Sequence, residues 1–188
     1  MPTAPDAWTE TAFVILNDGT TDTAIQTITE TIDLDQGEKP MEGVPTISGG
    51  RLKKFSPQED TSITFEAYPI AIGDKTAATQ DGLDLFFNAG TDSDAPFSAT
   101  SSRSRTTFTV TILWTDDATV SGAKDEVTSG SYGLRYVFAN CDMTSCKPSF
   151  TDGILKATYV FKCPAFNKAG TANITASSTD GTAALPAL

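Results

Sequence analysis

The chain has 188 residues, of which 39% are hydrophobic and 20% charged, a balance typical of a globular domain. The formal net charge of -11 at pH 7 argues against a surface that attracts nucleic acid, because acidic groups repel phosphate. No apolar run approaches the roughly 20 residues of a membrane helix, and residues 1–6 do not resemble a secretion signal. We therefore expect a single domain over 1–188, with N- and C-terminal arms, assembled in the cytoplasm and not in a membrane.

Three runs in the first third of the chain have the patterns of β-strands. Residues 11–17 are almost continuously apolar, which predicts a strand covered on both faces. Residues 27–34 and 62–68 alternate apolar and polar side chains, as expected for strands with one buried and one solvated face. These two alternating runs flank a long intervening segment.

The intervening segment, residues 36–55, is predicted to be an extended arm that contacts another protein. It carries more apolar side chains than an idle surface loop needs, together with a basic cluster in an otherwise acidic chain. The cluster is either a solvated strand face or a match for acidic surfaces on neighbouring copies. The residues expected to form the contact are Pro40, Met41, Val44, Pro45, Ile47, Arg51, Leu52, Lys53, Lys54 and Phe55.

One segment breaks the strand pattern. Leu83, Phe86 and Phe87 lie at helical spacing, with Thr79 as a candidate N-cap and Gly90 as a candidate C-terminal stop. We expect a short helix over 81–88 whose aromatic side covers a sheet.

The second half of the chain predicts further strands. Residues 106–115, 131–139 and 153–163 alternate regularly, and 171–175 is expected to add an edge strand before the chain loosens after Ser177. About seven strands and one helix make a mainly β (α+β) fold, either a β-sandwich or a partly closed barrel.

The sequence offers little catalytic chemistry. It contains no His, which removes the Ser-His and Cys-His arrangements, and no phosphate-binding loop, dinucleotide motif or EF-hand. We expect no enzymatic activity and no cofactor. The Asp92/Asp94 pair, and residues 17–19 with Asp22, suit either a hard cation or ordinary turn chemistry.

The three cysteines are too few for a disulfide framework. Cys141 and Cys146 are close enough in sequence to bridge, which would leave Cys163 unpaired. In a reducing compartment we expect buried thiols.

The order of these elements resembles the major tail tube proteins of long-tailed viruses of bacteria and archaea. The resemblance lies in the arm with its Gly-Gly-Arg-Leu-Lys-Lys-Phe run at 49–55, the strand that follows, and the late strand at 155–163 continuing into Pro-Ala-Phe-Asn-Lys. The acidic, Asp- and Thr-rich composition is similar to that of viruses of halophilic archaea.

The resemblance implies a structural virion protein. Such subunits form rings, usually of six, whose inner strands join into one barrel, and the rings stack into a tube through which viral DNA passes without specific binding. The implied partners are further copies of the chain and other tail proteins at the tube ends, and the location is the virion tail. The alternative is a β-sandwich binding or adhesion module of a virion or cell-surface protein, with Trp8, Trp114 and the tyrosines as a ligand platform. A small secreted hydrolase is a third reading.

Overall fold

The computed structural model describes residues 11–25, 31–68, 105–151 and 153–188, and the regular structure within them is β-strand apart from a single 3₁₀ residue, Thr31. The mainly β prediction is therefore confirmed, whereas the helix predicted at 81–88 lies outside the described residues. No helix in the described part is long and apolar enough to span a membrane. The strands are β1 Thr11–Asn17, β2 Asp22–Ile25, β3 Asp33–Asp35, β4 Met41–Pro45, β5 Arg51–Phe55, β6 Thr61–Ala67, β7 Phe108–Thr115, β8 Tyr132–Thr151, β9 Ile154–Cys163 and β10 Ile174–Asp180.

The strand β8 belongs to two antiparallel sheets. Its first half pairs with β7 and β10 and continues through β1 to β2, whereas its second half pairs with β9 and continues through β6 to β3. Asn140 lies between the halves with φ of 56°, the left-handed region that Asn tolerates better than most residues. The turn of the backbone there lets one strand serve both sheets, which do not close into a barrel.

The main core lies where the two sheets face each other. Phe65 of β6 stacks near Tyr159 and Phe161 of β9, with ring centroids 5.5 and 5.9 Å apart. The predicted alternation in the late strands is confirmed, because one face of each strand enters this core. The largest fully buried side chains of this core are Val14, Leu16, Ile63, Phe65, Val110, Ile112, Phe138, Tyr159 and Phe161.

A second, smaller cluster covers the other face of the first sheet. Ile15 and Leu113 pack there against Val120, Val127 and Leu185, which come from the segment before β8 and from the end of the chain. The prediction that 11–17 is covered on both faces is therefore confirmed. Its strand bounds are also those of β1.

The end of the chain differs from the sequence-based expectation. We expected it to loosen after Ser177, but β10 continues to Asp180, and the backbone of Leu185 then exchanges two hydrogen bonds with Val127, of 2.9 and 3.0 Å. The buried Arg135 donates to the carbonyl oxygens of Ala123, Asp125 and Pro186 and so ties this end to the first sheet. The packing of Leu185 in the second cluster and the hydrogen bonds of Arg135 therefore hold the end of the chain, which its polar composition had predicted to be loose.

Candidate functional site

The predicted arm is a two-stranded hairpin, which we call the projecting hairpin and define as residues 41–55. β4 and β5 pair with each other in register from Met41–Phe55 to Pro45–Arg51, and within the described residues they join no other strand. The turn between them is closed by Thr46, whose amide and hydroxyl both donate to the carbonyl of Gly50, at 2.8 and 2.9 Å. Gly49 has φ of 83°, which favours glycine at this position.

The strand pairing sorts the side chains of the projecting hairpin onto two faces, because opposed residues share a face. The first face carries the Met41–Phe55 pair at the base, followed by Lys53 and Arg51 towards the tip. The second face carries the Glu42–Lys54 pair and the apolar Val44–Leu52 pair. Each face therefore combines an apolar contact with a cation.

Both strands of the projecting hairpin are exposed along their whole length. Leu52 is 65% exposed, Phe55 71%, and Ile47 at the tip is completely exposed. Of the predicted contact residues only Pro40, at the base, is half-buried. Large apolar side chains are therefore grouped on one exposed element and not scattered singly over the surface.

The base of the projecting hairpin is anchored to the rest of the protein. Gln36 donates through Nε2 to the hydroxyl of Tyr136 in β8 at 3.0 Å, and the amide of Glu59 donates to the carbonyl of Glu38 at 2.9 Å. At Gly37 the chains approach so closely that a Cβ atom would lie 2.3 Å from the carbonyl oxygen of Glu59. The exposed strands thus extend from a fixed base.

The projecting hairpin also differs in charge from the rest of the chain. Its three cations, Arg51, Lys53 and Lys54, outnumber its single anion, Glu42, whereas the whole chain carries a net charge of -11. The element therefore presents positive charge beside an acidic body. Such an arrangement favours contact with acidic surfaces.

A groove beside the hairpin base was not predicted from the sequence. Phe166 is 51% exposed and lines a groove of about 510 Å³ together with Glu38, Lys39 and Ile174. The loop that presents Phe166 is ordered by Asn167, whose Oδ1 accepts from the amides of Ala169 and Thr171. The aromatic Phe166 within a polar turn sequence could have indicated this groove. Its side chain adds apolar surface next to the projecting hairpin.

The candidate cation site near Asp22 is occupied by protein groups. Asp18 accepts from the amides of Thr21 and Thr20, and these bonds hold the pKa of Asp18 below its usual value. Asp22 accepts from Lys124 at 2.6 Å and from Asn17, contacts that lower the pKa of Asp22. These residues form a turn and an ion pair. Asp92 and Asp94 lie outside the described residues, and no metal-ligating cluster occurs within the described ranges.

The aromatic platform of the adhesion alternative is not assembled by Trp114. This side chain is half-buried against the main core and meets Tyr136 edge to face, with ring centroids 6.2 Å apart. Its contacts are those of a core residue. Trp8 lies outside the described residues.

At the level of sequence, no family model and no curated protein matches the chain. Its fold is nevertheless tail-tube-like, as comparison with solved structures shows. A chain from the anti-feeding prophage baseplate matches with a TM-score of 0.57 and 8% identity, over 94% of this chain and 97% of that one.

Two chains from an extracellular contractile injection system match similarly. A chain of the PVC sheath/tube terminator in the extended state gives a TM-score of 0.54 at 13% identity, covering 88% of this chain and 92% of that one. A chain of the PVC sheath-tube complex gives 0.54 at 13%, covering 89% and 88%. Identities this low show a shared fold and no more.

Proposed function

We propose that this protein is a structural, non-enzymatic subunit of a tube, whose copies assemble into rings that stack. The observation that carries the proposal is the projecting hairpin, an anchored element with exposed apolar side chains, on a tail-tube-like fold. Burial of apolar surface contributes about 25 cal/mol per Å², so covering Ile47, Leu52 and Phe55 with another copy favours association. Contacts that close laterally form rings, and contacts that continue axially form a filament.

Charge supports a second copy as the partner of the projecting hairpin. The hairpin carries Arg51, Lys53 and Lys54, and the remainder of each copy is strongly acidic. Attraction between surfaces of opposite charge steers two copies towards each other and fixes the position in which they bind. All ten predicted contact residues, including Pro45 and Val44, belong to this proposed interface.

The finer parts of the proposal concern the assembled particle. We place the chain in the tail of a virus, in hexameric rings assembled in the host cytoplasm, with other tail proteins at the tube ends. An acidic lumen would let viral DNA pass without specific binding, because phosphate meets no cationic trap. The matched structures come from contractile systems, whereas the sequence resembles proteins of long-tailed viruses. The origin from a virus of a halophilic archaeon rests on that sequence resemblance and is therefore part of the proposal.

The experiment that tests the proposal is negative-stain electron microscopy of the purified protein across a salt series. We expect rings or tubes from the wild type, and their loss in Leu52→Ser. Leu188→Ser is the matched control, because Leu188 is also 65% exposed but lies outside the projecting hairpin. Absence of rings and tubes in the wild type at every salt concentration contradicts the tube function. Equal assembly by both variants contradicts the role of the projecting hairpin.

A further inference from the structure

The junction of the two sheets places two thiols opposite each other. Cys163 of β9 lies one position beyond Lys162, which pairs with Asp142 of β8, and this register brings Cys163 opposite Cys141. On its other side Cys141 pairs with Phe108 of β7, and Cys163 pairs with Thr61 of β6. The two cysteines therefore occupy the row of residues that connects the first sheet to the second.

Both side chains lie in the core, and their sulfur atoms interact. Cys141 and Cys163 are fully buried, and their thiols donate to the carbonyl oxygens of Phe138 and Ala139, each at 3.3 Å. Each thiol perturbs the other: the Cys141 side chain lowers the pKa of Cys163, and the Cys163 side chain together with burial raises the pKa of Cys141.

The spacing of such a pair suits a disulfide. Directly opposed residues of antiparallel strands have Cα atoms about 4.5 to 5.5 Å apart, within the range of about 4.4 to 6.8 Å found in disulfides. Cys146, the third cysteine, pairs with Tyr159 instead. The strand register thus places Cys163, and not Cys146, opposite Cys141. All three cysteines are free thiols in this structure.

We propose that Cys141 and Cys163 are an oxidation site that forms an intramolecular disulfide with a peroxide-class oxidant. The Cys163 thiolate attacks one peroxide oxygen, the O–O bond breaks, and the released hydroxide takes a proton to become water. The Cys141 sulfur then attacks the sulfenic sulfur of Cys163, the S–O bond breaks, and a second water leaves with the Cys141 proton. Both sulfurs are oxidised and both peroxide oxygens are reduced, so the exchange balances.

The disulfide would covalently join β8 to β9 at the point where β8 passes between the sheets. It would close the chain between residues 141 and 163 and so restrict the unfolded state, which stabilises the folded one. This inference rests on the strand register that places the two cysteines opposite each other. It holds whether or not the protein forms a tube.

The test uses the full chain in two oxidising treatments: native protein with hydrogen peroxide, and refolding from denaturant in a buffer of oxidised and reduced glutathione. Thiols are then labelled with N-ethylmaleimide under denaturing conditions and counted by intact mass. We expect three labels on the reduced protein and one, on Cys146, after oxidation. In Cys146→Ser we expect no label, a mass lower by two hydrogen atoms, and a Tm about 5–10 °C above that of the same variant kept reduced.

Three outcomes overturn the inference. They are full labelling after both treatments, a bridge that peptide mapping assigns to Cys146, and a bridge formed only between chains. The double variant Cys146→Ser/Cys163→Ser is the control, and it should keep one label under every condition. The Tm comparison is made between the oxidised and the reduced form of the same variant, Cys146→Ser. A folding defect caused by the substitution itself is therefore present in both samples and cannot produce the expected difference in Tm.

Discussion

The backbone amide of Ser56 donates a hydrogen bond of 3.0 Å to the carbonyl oxygen of Pro40, so the two ends of the projecting hairpin meet at its base. Residues 41–55 can therefore be removed without stretching the flanking chain. The tertiary contacts of the two sheets do not depend on the excised strands, since β4 and β5 pair with each other.

The first prediction concerns this excision. Replacing residues 41–55 by Gly-Gly should leave a folded domain, with the far-UV circular dichroism of a β protein and a Tm within a few degrees of the wild type. Assembly should be lost, because the exposed apolar and basic groups are gone. Particle size is measured by light scattering and electron microscopy. Tubes of normal length from the excised protein would refute the proposed role of the projecting hairpin.

The second prediction concerns the close approach at the hairpin base. Gly37→Ala places a Cβ atom 2.3 Å from the backbone oxygen of Glu59, so the backbone must shift. We expect a loss of about 1–3 kcal/mol in the free energy of unfolding, together with faster hydrogen exchange at the Glu59 amide. Gly43→Ala is the matched control, because its Cβ would lie no closer than 3.6 Å to Arg51. Equal stability of the two variants would show that the base is not tightly packed.

The third prediction concerns the buried cation of the first sheet. Arg135→Met keeps most of the side-chain length but leaves the carbonyl oxygens of Ala123, Asp125 and Pro186 without their donor. We expect a loss of about 1–3 kcal/mol by urea denaturation, since an unsatisfied buried acceptor such as the carbonyl of Ala123 costs about that much. Arg105→Met removes an exposed guanidinium and should change stability little. A similar small effect at Arg135 would mean that water replaces the lost donor.

The fourth prediction concerns stability in acid. Asp117 is buried and accepts hydrogen bonds from the hydroxyls and amides of Thr128 and Thr119, which hold its pKa well below the ordinary 3.8. Because the folded-state pKa is the lower one, this contribution is present above about pH 4 and is lost as the pH falls below that value. The Tm of the wild type should fall accordingly.

Asp117→Asn tests the origin of that acid sensitivity. The variant should have a lower Tm than the wild type at neutral pH, since the amide offers one acceptor oxygen instead of two. Its Tm should also decline less between about pH 4 and pH 2. Glu126→Gln removes a charge from an exposed position and serves as the control for net charge. Parallel Tm curves for Asp117→Asn and the wild type would exclude Asp117 as the source.

Sequence patterns predicted most of the strands whose alternation is uninterrupted. The run predicted at 27–34 is the exception, because its described part, residues 31–34, is a strand only from Asp33 onward. The patterns failed at β8, which was expected to end at Ala139 but continues to Thr151. Phe138 and Cys141 both enter the core, and a step of three residues breaks the two-residue period. The left-handed residue Asn140 absorbs this change of phase. A prediction based on two-residue alternation takes such a break as the end of the strand.

The projecting hairpin was predicted as a contact element but not as paired strands. Pro40, Gly43 and Pro45 lower the strand propensity of the first half, and such residues are tolerated mainly on exposed edges. In the structure nine of the ten predicted contact residues lie on the exposed projecting hairpin, and Pro40 is half-buried just before it. The identity of their partner stays a prediction, because it depends on a surface outside this chain.

The shared strand has a mechanical consequence. Since β8 is continuous through both sheets, a force that pulls the sheets apart is borne at Asn140 by peptide bonds and not only by side-chain packing. The two sheets therefore stay covalently joined along β8 even where their side-chain packing is disrupted.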